Sequence, residues 1–354
     1  MSVRRGWLRA VTVGVLVLAV LVAVVVAGGY GYARLRVDQV ASVHVPGLTP
    51  APPPGRPMNL LVVGSDTRQG LGRQDRGQFG TVAGQRGDVI LLVHLVPATH
   101  RAWMLSIPRD LYVPVAGTGD RAKINSALAR GPEQLVETIK ADFGIPVSHY
   151  VLVDFDGFRA VVDAVGGLRL DFPSPARDDD NGHNNSGLLI TTPGCRHLDG
   201  EQALALARSR HYQYRGADGV WRFDPGYDLG RIRRQQVLLR ALAAQALRRG
   251  LTNPLRADAV LAALSRHLTR DDTLTVGQAV RLAGQFRALR PGALVGLTIP
   301  TVPALRGGEQ VLLPVRPATG QTVARFLGRS TPSHPSPSAP ARPAPTPAWD
   351  PRPC

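Results

Sequence analysis

Hydrophobic positions fall along this chain in two kinds of run, and their order predicts an architecture. Short apolar runs of strand type come first: MNLLVVG from Met58, VILLVHLV after Arg86-Gly87-Asp88, and RAWMLSIP ending at Pro108-Arg109-Asp110. Each starts or finishes beside charged residues. Helical patterns follow. One opens at Lys123-Ile124-Asn125 and breaks at Gly131-Pro132, and PEQLVETIKADFG is amphipathic and stopped by Gly144. HYVLVDF reads as a strand, FRAVVDAV as a helix ended by Gly166-Gly167, and LRLDF as a further strand. Asp199 suits the N-cap of a helix in LDGEQALALARSR. Helix is expected again from Asp228, at roughly Ile232–Arg249, Pro254–His267 and Val276–Leu289, with closing strands at Val295–Ile299 and Gln310–Val315. Strands interleaved with helices predict an α/β domain with one layered core, over residues 58–330.

The ends of the chain follow other patterns. Arg4, Arg5 and Arg9 precede an uncharged run from Ala10 to Ala33, rich in Val, Leu and Ala. A bilayer-spanning helix needs roughly 20 such residues. The run is too long for a signal-peptide core, and no clean A-x-A site follows it. It predicts a short cytoplasmic tail (1–9), one transmembrane helix (10–33) and everything after it outside the cell membrane, although Arg34 and Arg36 weaken the charge bias that sets this orientation. Residues 34–57 are a Pro-rich linker. The Pro/Ser/Ala-rich tail, 331–354, is expected to be disordered or polyproline-like. Two polar stretches, Pro173–Gly187 and the insert 211–227, carry no strand pattern and read as loops. DDDNGHNN lacks the ligand spacing of a calcium loop. Cys195 and Cys354, the only cysteines, exclude a disulfide scaffold and a cysteine-based zinc site, and are free to pair outside the cytosol.

Charge narrows the chemistry. A net charge of +16 points to an anionic partner, and placement outside the membrane argues against nucleic acid. The cations concentrate between Leu198 and Gln236, around Arg208, Arg210, Arg231, Arg233 and Arg234. Asp228, Arg231 and Gln235 fall on one helix face near a helix start, where anions are favoured, and Arg suits phosphate bidentately. A solvated basic helix fits the same residues. No metalloprotease, serine-hydrolase or P-loop signature occurs. Two acids at strand edges, Asp66 and Asp88, suit a magnesium ion that shares phosphate oxygens, and equally suit turn capping.

GSDTR (Gly64–Arg68), RGDVI (Arg86–Ile90), SIPRD (Ser106–Asp110), KIN (Lys123–Asn125), YVLVDFDGFRAVVDAVGGL (Tyr150–Leu168), LDGEQALALARSR (Leu198–Arg210) and DLGRIRRQQ (Asp228–Gln236) together resemble the LytR-CpsA-Psr family of bacterial cell-wall proteins. A single block is weak; the ordered set is specific. The fold then expected is a single three-layer α-β-α domain with a central mixed β-sheet flanked by helices, after one N-terminal transmembrane helix. The resemblance implies transfer of an anionic glycopolymer from a polyprenyl-pyrophosphate carrier onto peptidoglycan. It implies Mg2+ on Asp66 and Asp88. It implies pyrophosphate contacts from Arg86, Arg109, Lys123, Arg208, Arg210, Arg231 and Gln235, with Asp228 orienting Arg231 or a neighbouring Arg. Arg109, Arg208 and Asp88 are the residues expected to act at the reacting phosphorus. The insert, with Tyr212, Tyr214 and Trp221, is read either as an aromatic rim for sugar or lipid head groups or as a plain surface loop. A pyrophosphatase, a transcriptional attenuator and a non-catalytic receptor are the rival readings. The polymer moved, whether teichoic acid, arabinogalactan-like or capsular, stays open.

Overall fold

The computed structural model describes residues 40–65, 87–246, 293–329 and 347–354, together with 265–275 and single positions between 259 and 284. The expected transmembrane helix, Asp66, Arg86 and most of the helices expected within 254–289 lie outside the described residues, as does the side chain of Asp88.

In chain order, β1 (Ala41–Val43) precedes β2 (Met58–Ser65), β3 (Gly87–Val96), β4 (Arg101–Ile107) and the hairpin β5 (Tyr112–Pro114) and β6 (Arg121–Lys123). Helices α1 (Asn125–Ala129) and α2 (Pro132–Phe143) lead to β7 (His149–Asp154) and α3 (Phe155–Ala164). Then come β8 (Leu168–Phe172), β9 (Ala176–Asp178), β10 (Leu189–Ile190), β11 (Gly194–Leu198) and α4 (Gly200–Arg208). The chain continues through β12 (Tyr212–Arg215), β13 (Trp221–Phe223), α5 (Tyr227–Gln245), β14 (Leu268–Asp271), β15 (Leu294–Thr298), β16 (Thr301–Arg306), β17 (Glu309–Pro314), α6 (Arg316–Phe326) and β18 (Arg352–Pro353). The helix ends obey local chemistry. Pro132 opens α2 and Gly144, in the left-handed region, closes it. Asp199 and Gln202 form a full capping box on α4, as the sequence predicts for Asp199.

Seven strands form the central sheet in the order β1-β14-β7-β2-β3-β4-β15. β2, β4, β7 and β15 run one way, while β1, β3 and β14 run the other, so the sheet is mixed. Alternate residues on one strand enter different cores, as the pleat requires. Leu61, Val63, Leu92 and Leu105 pack with Leu128 of α1, Leu135 and Ile139 of α2 and Phe326 of α6. Leu60, Leu91, Val93 and Met104 pack on the opposite face with Leu239 of α5 and Leu282. The expected mixed α/β domain with a central sheet and flanking helices is thereby shown.

A further core lies beside this sheet, where Val162, Leu170, Phe172, Leu206, Tyr212 and Leu238 join α3, α4 and α5 to small sheets. Here the sequence reading is corrected. The two expected loops supply three strands, β9, β12 and β13, of a four-stranded sheet completed by β10, in the order β10-β9-β12-β13, with Ala176 paired to Tyr214 and Asp178 to Tyr212. Asp178, within the first of these stretches, is buried. These strands are only two to four residues long, so their alternation is too brief to show in sequence. The last eight residues are not a disordered tail either. β18 pairs antiparallel with β8, and Cys354 forms a disulfide with Cys195 on β11. Among the described residues no helix is long and apolar enough to cross a membrane.

Candidate functional site

Strand direction decides where charged residues collect. The carboxyl ends of β2, β4, β7 and β15 and the start of β3 share one end of the sheet. Ser65, Pro108-Arg109-Asp110, Asp154-Phe155 and Thr298 therefore stand there together, at the kind of crevice where α/β proteins bind ligands. The pairing of β2 with β3 passes from Gly64 opposite Val89 to Ser65 opposite Gly87, which leaves Asp88 as the extra residue of a β-bulge. Bulges often sit where a side chain is re-aimed.

Helix α5 lies across this end. Gln236, buried, donates from Nε2 to Ser106 Oγ (2.9 Å) and to the Leu297 carbonyl (2.9 Å), fastening the helix to β4 and β15. Gly296 makes room for it, because a Cβ there would come 2.4 Å from Gln236 Oε1. One residue earlier, Gln235 Nε2 donates to the Ala207 carbonyl at 2.9 Å and ties α5 to the last turn of α4. The side chain assigned to pyrophosphate thus holds two helices together.

Three elements bring their cations to one carboxylate. Arg231, almost fully buried, reaches Asp228 Oδ1 from Nε at 3.1 Å and from its guanidinium Nη2 at 3.0 Å. Burial alone would raise the pKa of Asp228. The opposing charges of Arg231, Arg210 and Arg109 outweigh that and hold the carboxyl below its ordinary range. The strand β4 exit, the α4 exit and the first turn of α5 therefore converge, and Asp228 stays ionised among them. Arg109 Nε also donates to Asp110 Oδ2 at 3.2 Å. Lys123 Nζ stands 3.8 Å from Asp110 Oδ1 and 3.0 Å from Glu309 Oε2, so it belongs to the same charged row. Arg208 ends α4 as its last residue, with its guanidinium 5.2 Å from the centre of the Phe155 ring at the β7 exit. Ser209, buried, separates it from Arg210.

The sequence reading missed a second set of charges. Asp224 accepts from Arg234 Nη1 at 2.5 Å, and Asp350 accepts from Arg233 Nε at 2.8 Å; Arg234 is completely buried. Nothing in the spacing of Asp224 or Asp350 announces this. The aromatic residues of the insert are also not a free platform. Tyr212 is buried, Tyr214 stacks on Trp349 at 4.8 Å, and Arg177 lies 4.4 Å over Trp221. Among the described residues, no group of three or more His, Cys, Asp or Glu side chains is placed to hold a metal ion. Asp66 and the side chain of Asp88 are not among those residues.

Residues 38–322 match the LytR_cpsA_psr family. The chain belongs to this family. It is 37% identical over 190 residues to the polyisoprenyl-teichoic acid–peptidoglycan teichoic acid transferase TagV of Bacillus subtilis, covering 53% of this chain and 43% of that protein. It is 34% identical over 247 residues to the probable cell wall biosynthesis protein LcpB of Corynebacterium glutamicum, covering 68% and 54%. The chain thus spans about half the length of these curated relatives. The fold is that of the LytR-Csp2A-Psr enzyme from Actinomyces oris, with a TM-score of 0.64 and 23% identity over 89% of this chain and 99% of that one.

Proposed function

We propose that this family member is a membrane-anchored phosphotransferase that moves an anionic glycopolymer from a polyprenyl-pyrophosphate carrier onto peptidoglycan during cell-wall assembly. The observation that carries the reading is the convergence of Arg109, Arg210 and Arg231 on Asp228 at the carboxyl end of the sheet. Guanidinium groups held around a carboxylate keep a fixed geometry, and a cluster of them at one end of the sheet suits the charge of a diphosphate. The curated relatives named as teichoic acid transferases support the substrate class.

In this reading a peptidoglycan hydroxyl oxygen attacks the phosphorus nearest the polymer. A new P–O bond forms, the bond to the bridging oxygen breaks, and polyprenyl phosphate leaves with the electron pair. Arg109 and Arg208 offset the charge on the transferring phosphoryl group, and Arg86, Lys123, Arg210 and Arg231 hold the diphosphate. Asp228, kept ionised by three cations, is a weak base, and its part is to orient Arg231. The hydroxyl proton passes to solvent or to Asp88.

For magnesium, the donor chemistry fits. Asp66 is the next residue in sequence after β2 and Asp88 belongs to the neighbouring strand β3, and carboxylates are the hard oxygen ligands that magnesium takes. A bound magnesium ion would neutralise phosphate charge and polarise the phosphoryl oxygens. The anchor would be the helix expected at 10–33, with the domain outside the cell.

The test incubates the full chain with magnesium, a synthetic polyprenyl-pyrophosphate saccharide and peptidoglycan fragments, and follows products by mass spectrometry. Saccharide phosphate joined to the fragment is expected. Free saccharide phosphate regardless of acceptor would make the protein a pyrophosphatase, and binding without product would make it a receptor.

A further inference from the structure

The C-terminal segment is held against the site by independent contacts. β18 pairs with β8 through Arg352 opposite Asp171 and Pro353 opposite Leu170. Cys354 is bonded to Cys195, on the strand that runs directly into α4. Trp349 lies flat on Tyr214, and its carbonyl accepts from the Tyr212 hydroxyl at 3.4 Å. Between these fastenings Asp350 is delivered, 1% exposed, to a pair of arginines on α5.

Those arginines are in the same turns of α5 as Arg231. Arg234 is wholly enclosed: its guanidinium lies 4.2 Å over the Tyr212 ring and bonds Asp224 Oδ2 at 2.5 Å and Asp350 Oδ1 at 3.4 Å. It also donates from Nη2 to the Ser209 carbonyl at 3.3 Å. Ser209 is the single residue between Arg208 and Arg210. The chain of contacts therefore runs from Asp350 to Arg234 to the peptide that sets where those two cations point. Arg233 shares both carboxylates, to Asp350 Oδ2 at 2.8 Å and Asp224 Oδ1 at 3.2 Å. Two cations meet two anions, and without Asp350 two guanidinium groups would share one buried carboxylate. Arg233 would then compete with Arg234 for Asp224, and the bond from Arg234 to Ser209 would lose its fixed geometry.

We propose that Asp350 is a positioning residue for the diphosphate site, carried by residues 347–354 acting as a clasp over α5 and the start of β12. This rests on the phosphate-binding role assigned above to Arg208, Arg210 and Arg231. Asp350 touches no substrate; it acts through Arg234. The segment would thereby make a terminus that sequence reads as a disordered tail into a required part of the site.

The test uses the full chain in detergent, with the synthetic donor and peptidoglycan fragment, and Asp350→Asn and Asp350→Glu variants. Asp350→Asn is expected to raise KM for the donor at least tenfold, with kcat changed less and the circular dichroism spectrum unchanged; Asp350→Glu should recover much of the loss. A second arm needs no point substitution. A protease site placed between residues 331 and 346 is cut in the oxidised protein, where the Cys195–Cys354 bond keeps the clasp attached and transfer should persist. Reduction then releases the segment, and transfer should fall at least tenfold, while reduction of the uncut chain should leave it in place. Wild-type KM and kcat in Asp350→Asn would overturn the inference. So would full transfer by cut, reduced protein shown by mass to lack the segment. Loss of native circular dichroism in both arms would also overturn it, since the segment would then serve global stability. If the unaltered chain neither transfers nor binds inorganic pyrophosphate, the proposed function falls first. Transfer by the unaltered chain with an indifferent Asp350 variant sinks only the clasp.

Discussion

Asp224→Asn tests the buried charge cluster most directly. Asp224 and Arg234 are both at least 97% removed from solvent, with 3% and 0% exposure, and their 2.5 Å contact is the shortest in the cluster. Asparagine keeps the shape and an acceptor for the Gly226 amide, which Asp224 Oδ1 now bonds at 2.9 Å, so chiefly the charge is lost. Arg234 would then rely on Asp350 at 3.4 Å and the Ser209 carbonyl, with Arg233 drawing on the same Asp350. Breaking a buried pair on one side costs about 3–5 kcal/mol, because a charge remains buried without its partner. In a domain of this size that should lower Tm by roughly 6–20 °C. Denaturant unfolding at pH 7 measures the free energy and calorimetry the Tm. The companion variant Asp224→Asn with Arg234→Met removes both charges and should recover at least half of the loss. The acid side has a fixed sign. Burial would raise the pKa of Asp224, but Arg234, the Gly226 amide and Arg233 hold it below its ordinary value. The folded protein therefore takes up this proton later than the unfolded chain. Its contribution is complete above about pH 5 and is lost as pH falls below about 4, so Asp224→Asn should flatten the stability profile there. A single variant within about 1 kcal/mol of wild type, or a double variant no better than the single, would refute the reasoning.

Arg208→Ala should reduce transfer at least a hundredfold while the circular dichroism spectrum stays native; unchanged product formation in the mass-spectrometric assay would remove it from the site. Gly296→Ala should displace Gln236 from Ser106 and Leu297, destabilising by about 1–3 kcal/mol and raising KM for the donor, as read by unfolding and kinetics. His94, buried between Trp103 and Phe326 and bonded to Asn59 Oδ1 at 2.7 Å, has its pKa lowered to about 4 by burial. The unfolded chain therefore binds this proton first. Stability should decline from about pH 6.5 down to pH 4, by on the order of 2–3 kcal/mol, and His94→Gln should lessen that slope.

Much of the central domain was legible because its signals are local. Met58–Ser65, Gly87–Val96 and Arg101–Ile107 are long apolar runs, and Pro132, Gly144 and Asp199 punctuate helices through their own backbone chemistry. The site motifs were legible one by one, since each cation stands beside a strand or helix end that sequence can place. Their convergence was not, because it depends on the relative direction of β2, β4 and β7 and on the crossing of α5. Tertiary structure alone decided that Asp228 would collect Arg109, Arg210 and Arg231, and that Gln235 would bond a neighbouring helix. It also decided the roles of the two stretches read as loops and of the chain's end. β9, β10, β12 and β13 are too short to alternate visibly and exist because Ala176, Ile190 and Tyr212 have a core to enter. Asp350 sits 116 residues from Arg234 in a Pro-rich context that argues for disorder. Only the folded chain, with β8 offering a free edge and buried guanidinium groups needing a counter-charge, makes that terminus part of the structure.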